Sequence, residues 1–187
     1  MEQAQRTRAH LERVLLVCGE QNSGKSRLLR QMLSDERLGG EAPVSMRVGS
    51  RFLSRERKLA VRFTSPHEMG EDIQTFVSKI DRETETAWHD SWRLNYASAI
   101  QPRAANQMPG IVDVCQAIWG AFKPERIRVV ILAPDIYGDT RNLISNEEVD
   151  ALRTLDIEVL TIDARMRADI AAEPGNIRIL ADYFDFS

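Results

Sequence analysis

Two cysteines, Cys18 and Cys115, are too few for a disulfide framework, and each sits among apolar residues, so both are expected to be buried thiols. Histidine is equally sparse: His10, His67 and His89 lie far apart without ligand spacing, which argues against a structural zinc site and leaves them with no assigned chemistry. No apolar stretch approaches the roughly eighteen residues of a membrane helix, and the opening M-E-Q-A-Q-R-T-R-A-H is polar where a secretory signal is apolar. A cytoplasmic location without membrane contact is expected. Neither sign of charge dominates, since 25 Lys and Arg face 28 Asp and Glu for a net charge of -3, and nothing pulls the chain as a whole toward nucleic acid.

What is present is ordinary for a globular protein, at 43% hydrophobic and 28% charged residues, and a length of 187 residues suits one domain with a real core. The chain is organised around residues 13–26, R-V-L-L-V-C-G-E-Q-N-S-G-K-S, where an apolar run leads into Gly19, four residues, Gly24, Lys25 and Ser26. This is the pattern G-x-x-x-x-G-K-[ST] between a strand and a helix. Its glycines allow positive φ, so that amides of Glu20, Gln21, Asn22, Ser23, Gly24, Lys25, Ser26 and Arg27 can surround an anion at a helix N-terminus. Lys25 supplies a point charge for β- and γ-phosphates, and Ser26 a hydroxyl for Mg²⁺. These residues resemble the P-loop (Walker A) nucleoside triphosphatase superfamily. The resemblance implies a three-layer α/β sandwich with a mostly parallel central sheet, 1–187 as a single nucleotide-binding domain, and ATP with Mg²⁺ as ligands.

Along the chain, residues 2–11 read as a short polar helix or a flexible lead-in. Strands are expected at about 13–18, 44–48, 59–63, 93–100, 127–133, 157–162 and 177–184, from apolar runs bounded by turn residues. Helices are expected from Lys25 to about Leu33, over 69–86 with Ile73, Phe76, Val77 and Ile80 on one face, and over 111–122 with the stripe Ile111, Val114, Cys115, Ile118, Trp119 and Phe122. A capping box at Ser145-Asn146-Glu147-Glu148 opens another helix to about Leu155, and Asp163 is placed as the cap of a helix ending by Glu173. Trp88 and Trp92 are assigned to the core rather than to base stacking. In such a sheet ligands bind outside the carboxyl ends of the strands.

Arg47, Arg51, Arg55, Arg57, Lys58 and Arg62 face the single acid Glu56 between positions 47 and 62. They read either as a positive edge that meets a phosphorylated substrate or a nucleic-acid backbone, or as the charge that keeps an edge strand soluble. A Mg²⁺–triphosphate site also needs a carboxylate at a neighbouring strand end; Asp135, after I-R-V-V-I-L-A, is the first candidate as catalytic and metal-side residue, and Asp163 the second. D-I-Y-G from Asp135 resembles the D-x-x-G element of GTPases, although no N-K-x-D follows. The ending A-S-A-I-Q-P-R of the 93–100 strand is similar to the S-A-x-x-x-x-R segment of gluconate and adenylylsulfate kinases, which implies a metal-side hydroxyl at Ser98 and a phosphate contact at Arg103. Those kinases carry an acid after the second strand, where this chain has T-S-P-H-E-M. They also carry an Arg-rich lid between the third and fourth strands, where this chain has a helix without Arg.

The expected function is therefore Mg²⁺-dependent ATP binding with hydrolysis or transfer of the γ-phosphate. A small-molecule kinase and a nucleotide-dependent module for nucleic acid or protein stand as alternatives. Base specificity and oligomeric state do not follow from these residues.

Overall fold

The apolar run ending at Cys18 becomes the middle of the molecule. In the computed structural model, which describes residues 8–41, 49–141, 143–165 and 174–186, β1 (His10–Cys18) lies between two other parallel strands and is buried from Val14 to Cys18. Successive side chains leave a strand on opposite faces. Val14, Leu16 and Cys18 accordingly enter one core and Leu15 and Val17 another. A strand covered on both sides must be apolar at every position, which is why this stretch shows no alternation.

After β1 come α1 (Lys25–Met32), a 3₁₀ turn at Glu36–Leu38, β2 (Gly49–Phe52), β3 (Arg57–Arg62), α2 (Ile73–Trp88), β4 (Arg93–Ile100), α3 (Ile111–Phe122), β5 (Arg126–Leu132), α4 (Asn146–Thr154), β6 (Glu158–Ile162) and α5 (Pro174–Asp182). The sheet runs β2-β3-β4-β1-β5-β6, with every neighbouring pair parallel except the β2–β3 hairpin. Helices α2, α3 and α4 contribute Phe76, Ile80, Ile118 and Leu152 to one core; α1 and α5 contribute Leu28, Leu29, Met32 and Leu180 to the other. Each fully buried Leu in these layers is worth about 2 kcal/mol.

The local signals act as expected where they are strong. Asp72 caps α2 by accepting from Thr75 N at 2.7 Å, and Ser145 and Glu148 close the capping box that opens α4. The α3 stripe is buried at Ile111, Val114, Cys115 and Ile118, and both cysteines are buried free thiols. No helix among the described residues is long and apolar enough to cross a membrane.

Three expectations are corrected. The terminal strand at 177–184 is instead α5. Leu180, Ala181 and Phe184 repeat at helical spacing and dock against α1, and Pro174 suits a first helical position, so packing overrides the strand-like I-R-I-L. Trp88 and Trp92 are 39% and 70% exposed and tilt against each other at 5.9 Å instead of entering the core. Strand β1 begins at His10, within the 2–11 stretch read as a lead-in or helix. Several of the described basic residues of the 47–62 stretch have local acidic partners. Arg57 bonds Glu12, Lys58 pairs with Asp90 at 2.9 Å, and Arg62 grips Glu71 through both guanidinium nitrogens at 2.9 and 2.8 Å. Arg57 and Arg62 sit at opposite ends of β3. Arg47 and the 44–48 strand lie outside the described residues, as does the expected helix beyond Asp163 up to residue 173.

The amino-terminal edge of the sheet carries its own polar knot. Glu12, 2% exposed, accepts from Arg57 at 3.0 Å, Arg93 at 2.6 Å and Asn95 at 3.2 Å. Burial alone would raise its pKa, but these hydrogen bonds and the two guanidinium charges hold it below the usual carboxylate value.

Candidate functional site

The chain order and the sheet order part company at β1. From β1 the chain crosses to β3 by way of α1 on one face, returns through α2 to β4 beside β1, then passes over β1 through α3 on the other face to β5. The segments leaving β1 and its neighbours β4 and β5 thus diverge to opposite faces, and a crevice opens outside the carboxyl end of β1. A sheet of this kind binds ligands at that switch point.

The segment that fills it is the Gly19–Ser26 loop. Gly19 N donates to Ile100 O at 3.2 Å, tying the loop to the end of β4, and Ser23 N closes a turn on Glu20 O at 3.2 Å. Asn22 and Gly24 have φ of 63° and 97°, two left-handed residues within three positions, which curl the backbone as anion-binding nests require. Glycine is required twice over at 24, since a Cβ there would also collide with Ile136 Cγ2, and a Cβ at Gly19 would collide with Ser23 Oγ. The first i→i−4 bond of α1 runs from Leu28 N to Gly24 O at 2.9 Å, so the amides of Lys25, Ser26 and Arg27 precede the helical ladder and lack intrahelical acceptors. They bring the positive end of the helix dipole to the crevice. Ser23 Oγ is buried in the same loop with no hydrogen-bond partner among the described residues.

Lys25 is only 3% exposed, although lysine is almost never buried without compensation. Its Nζ donates to Glu20 O at 2.5 Å and lies 3.6 Å from Glu68 Oε1. Burial pushes the ammonium below its ordinary pKa of 10.5, and the Glu68 carboxylate pulls it part of the way back. Three N–H donors thus have one carbonyl and one distant carboxylate. Ser26 Oγ donates to Phe63 O at 2.5 Å, which spends its proton and leaves its lone pairs as acceptors.

Glu68 reaches the crevice because His67 pins its turn. His67 is fully buried; its Nε2 bonds Pro109 O at 3.0 Å, its Nδ1 receives Gln101 N at 3.4 Å, and its backbone oxygen accepts from Asn106 at 3.0 Å. Donating from Nε2 to a carbonyl and accepting at Nδ1 is the pattern of a neutral imidazole, and burial lowers its pKa below 6.5. The turn after β3 is in this way fastened to the segment leaving β4. Neither residue announced itself in the sequence: T-S-P-H-E-M looks like a plain turn until the strand order sets it beside the loop.

Together Asn22, Gly24, Lys25, Ser26, Arg27, Glu68 and Tyr137 line a cleft of about 210 Å³. Glu20 supplies a carbonyl to Lys25 from behind, and Gln21 is exposed on the loop. Asp135 lies beside this cleft without lining it. Its Oδ1 accepts from Tyr137 N at 2.8 Å and Asp139 N at 3.0 Å, so the carboxylate shapes its own loop, which follows the cis Ala133–Pro134 bond and seats Ile136 on Gly24. Ser98 is buried within β4 and donates to Ala99 O at 3.1 Å, Arg103 is exposed outside the cleft, and Asp163 pairs with Arg165. The carboxylate the loop gathers is Glu68.

A larger groove of about 790 Å³ lies at the other end of α1, between the 3₁₀ turn and α5. Its Arg37 is already held by Asp35, Asp182 and Asp185. Groove size therefore points away from the sheet's carboxyl edge, while the underpaired cation lies in the smaller cleft.

No family model, no curated protein and no solved structure matches the chain.

Proposed function

We propose that the protein is a P-loop nucleotide-binding protein that takes ATP with Mg²⁺ and hydrolyses or transfers the γ-phosphate. The observation that carries this reading is Lys25, a buried and underpaired ammonium at the positive end of α1, inside a loop with two left-handed residues at the sheet's switch point. A polyanion supplies what the site lacks: acceptors for Lys25 Nζ, and negative charge at a dipole end.

The donor set also suits the metal. Mg²⁺ is held by few protein oxygens when phosphates and waters complete its shell, and Ser26 Oγ, with its proton directed to Phe63, is the hydroxyl for it. Bound there, Mg²⁺ would neutralise charge on the phosphate oxygens. The chain's own part is to orient and to stabilise. The 20–26 amides and Lys25 take up charge developing on the bridging and terminal oxygens, and preorganised donors act without reorganisation. Asp135 acts through position, since its carboxylate fixes the loop that sets Ile136 on Gly24.

One observation favours phosphotransfer over hydrolysis. Glu68 follows the second parallel strand of the sheet and faces the cleft, the place that similarity to gluconate and adenylylsulfate kinases reserves for the acid taking an acceptor's hydroxyl proton. Stimulation of ATP turnover by a sugar, nucleoside or adenylylsulfate acceptor distinguishes the two. The founding test is Lys25→Ala, which is expected to abolish Mg·ATP binding in calorimetry while the fold is retained by circular dichroism; unchanged affinity refutes the site.

A further inference from the structure

The cleft beside Lys25 holds about 210 Å³, whereas pockets that enclose most of a ligand of nucleotide size run from roughly 300 to 1,000 Å³. The phosphate end of a nucleotide fills such a space, and its base has to lie on the rim. At that rim stands Tyr137, the one aromatic residue among those lining the cleft, and it is 77% exposed.

Its exposure does not come from a loose loop. The amide of Tyr137 is bound by Asp135 Oδ1 at 2.8 Å, Gly138 N returns to Asp135 O at 3.0 Å, and Asp135 N closes on Asp139 O at 3.0 Å. Ala164 N holds Pro134 O at 2.8 Å from the end of β6, and the preceding Ile136 is wedged against Gly24 of the anion loop. The backbone from Asp135 to Asp139 is thus held by these bonds, and it carries the ring at the rim of the cleft. Among the described residues no ring or guanidinium stacks on it. Glu68 borders the same cleft from the β3 side and Tyr137 from the β5 side, so a chain of phosphates has one acidic neighbour and one aromatic neighbour at its borders.

We infer that Tyr137 is the stacking platform for the nucleobase of the bound nucleotide, a role that rests on the Gly19–Ser26 loop being a triphosphate site. An aromatic face accepts any base, because stacking uses the π-surface and not the hydrogen-bonding edge. Loss of one such contact typically weakens binding about tenfold.

Calorimetry on the full chain with two probes separates the parts: Mg·ATP, which has a base, and Mg·tripolyphosphate, which has none. Tyr137→Ala is expected to weaken Mg·ATP about tenfold and leave Mg·tripolyphosphate unchanged, with Tyr137→Phe close to wild type on both. Equal loss on both probes, or no loss on Mg·ATP, overturns the role of Tyr137 while the phosphate site stands. Wild-type protein that binds tripolyphosphate but not ATP overturns it in the same way. If the wild type binds neither probe, or if Lys25→Ala binds both normally, the triphosphate site itself fails and this role falls with it.

Discussion

At Lys25 two opposite demands meet in one side chain. The ammonium is buried enough for desolvation to lower its pKa, yet on the proposed reading it must stay charged to hold an anion, and Glu68 at 3.6 Å is the nearest opposite charge among the described residues. An incoming triphosphate brings negative charge to the same place and meets Glu68 as a like charge, an interaction worth up to about 4 kcal/mol at 4 Å in a protein-like medium before screening. Glu68→Gln is therefore expected to tighten binding of Mg²⁺-free tripolyphosphate several-fold, measured by calorimetry in chelator. Unchanged or weaker affinity would place Glu68 outside the path of the phosphates. At this scale the sequence brought Gly24, Lys25 and Ser26 to one loop, because their placement depends on spacing along the chain. It was silent on Glu68 and His67, whose roles depend on which strands are neighbours. Asp135 was placed after a strand, as its position in the sequence suggests, and its Oδ1 also accepts from two amides of its own loop, a detail held in the loop's geometry alone.

Between elements, His67 is the fastener, joining the turn after β3 to the segment that leaves β4. Burial keeps it neutral, with Lys25 opposing its protonation and Glu68 favouring it, and the balance lies below 6.5. An unfolded chain takes up a proton at this residue near pH 6.5, while the folded protein does not. The stabilisation is therefore complete above that pH and is lost as pH falls below it. Melting temperature is expected to drop between pH 7 and pH 5.5, and His67→Gln to flatten that slope even if its melting temperature is lower throughout; an identical slope would assign the pH dependence elsewhere. The elements themselves were legible where periodicity was long or capped, as in β4, α3 and α4. They were misread at α5, where nine residues carry too few turns for a helical stripe to stand out and the deciding contacts, with Leu29 and Met32 of α1, lie far away in sequence. Trp88 and Trp92 were misread for a related reason: an aromatic's size predicts burial only if an element covers it, and these two flank the bend where α2 ends.

Taken as a whole, the described residues form a sheet between two helical layers of unequal thickness, three helices on one face and two on the other. The thinner layer depends on α5 and the aromatic pair behind it, Tyr183 and Phe184, whose rings meet edge to face at 5.2 Å. Phe184 is 2% exposed, so Phe184→Ala is expected to cost about 3–5 kcal/mol in denaturant unfolding. A loss below about 1 kcal/mol would mean that this layer is an appendage to the core. The alternation of strands and helices was readable from composition and pattern, whereas the order β2-β3-β4-β1-β5-β6 was not, since no local signal records which strand a crossover returns to.

The ring of Phe186 lies between the guanidinium groups of Arg13 and Arg57, 3.9 and 4.3 Å away, at the edge of the sheet where β1 and β3 begin. Lys25 opens at the edge where they end. A surface tether or reporter dye placed beside the Phe186 ring would thus grip the protein by its far pole, leaving the mouth of the cleft turned to bulk solvent.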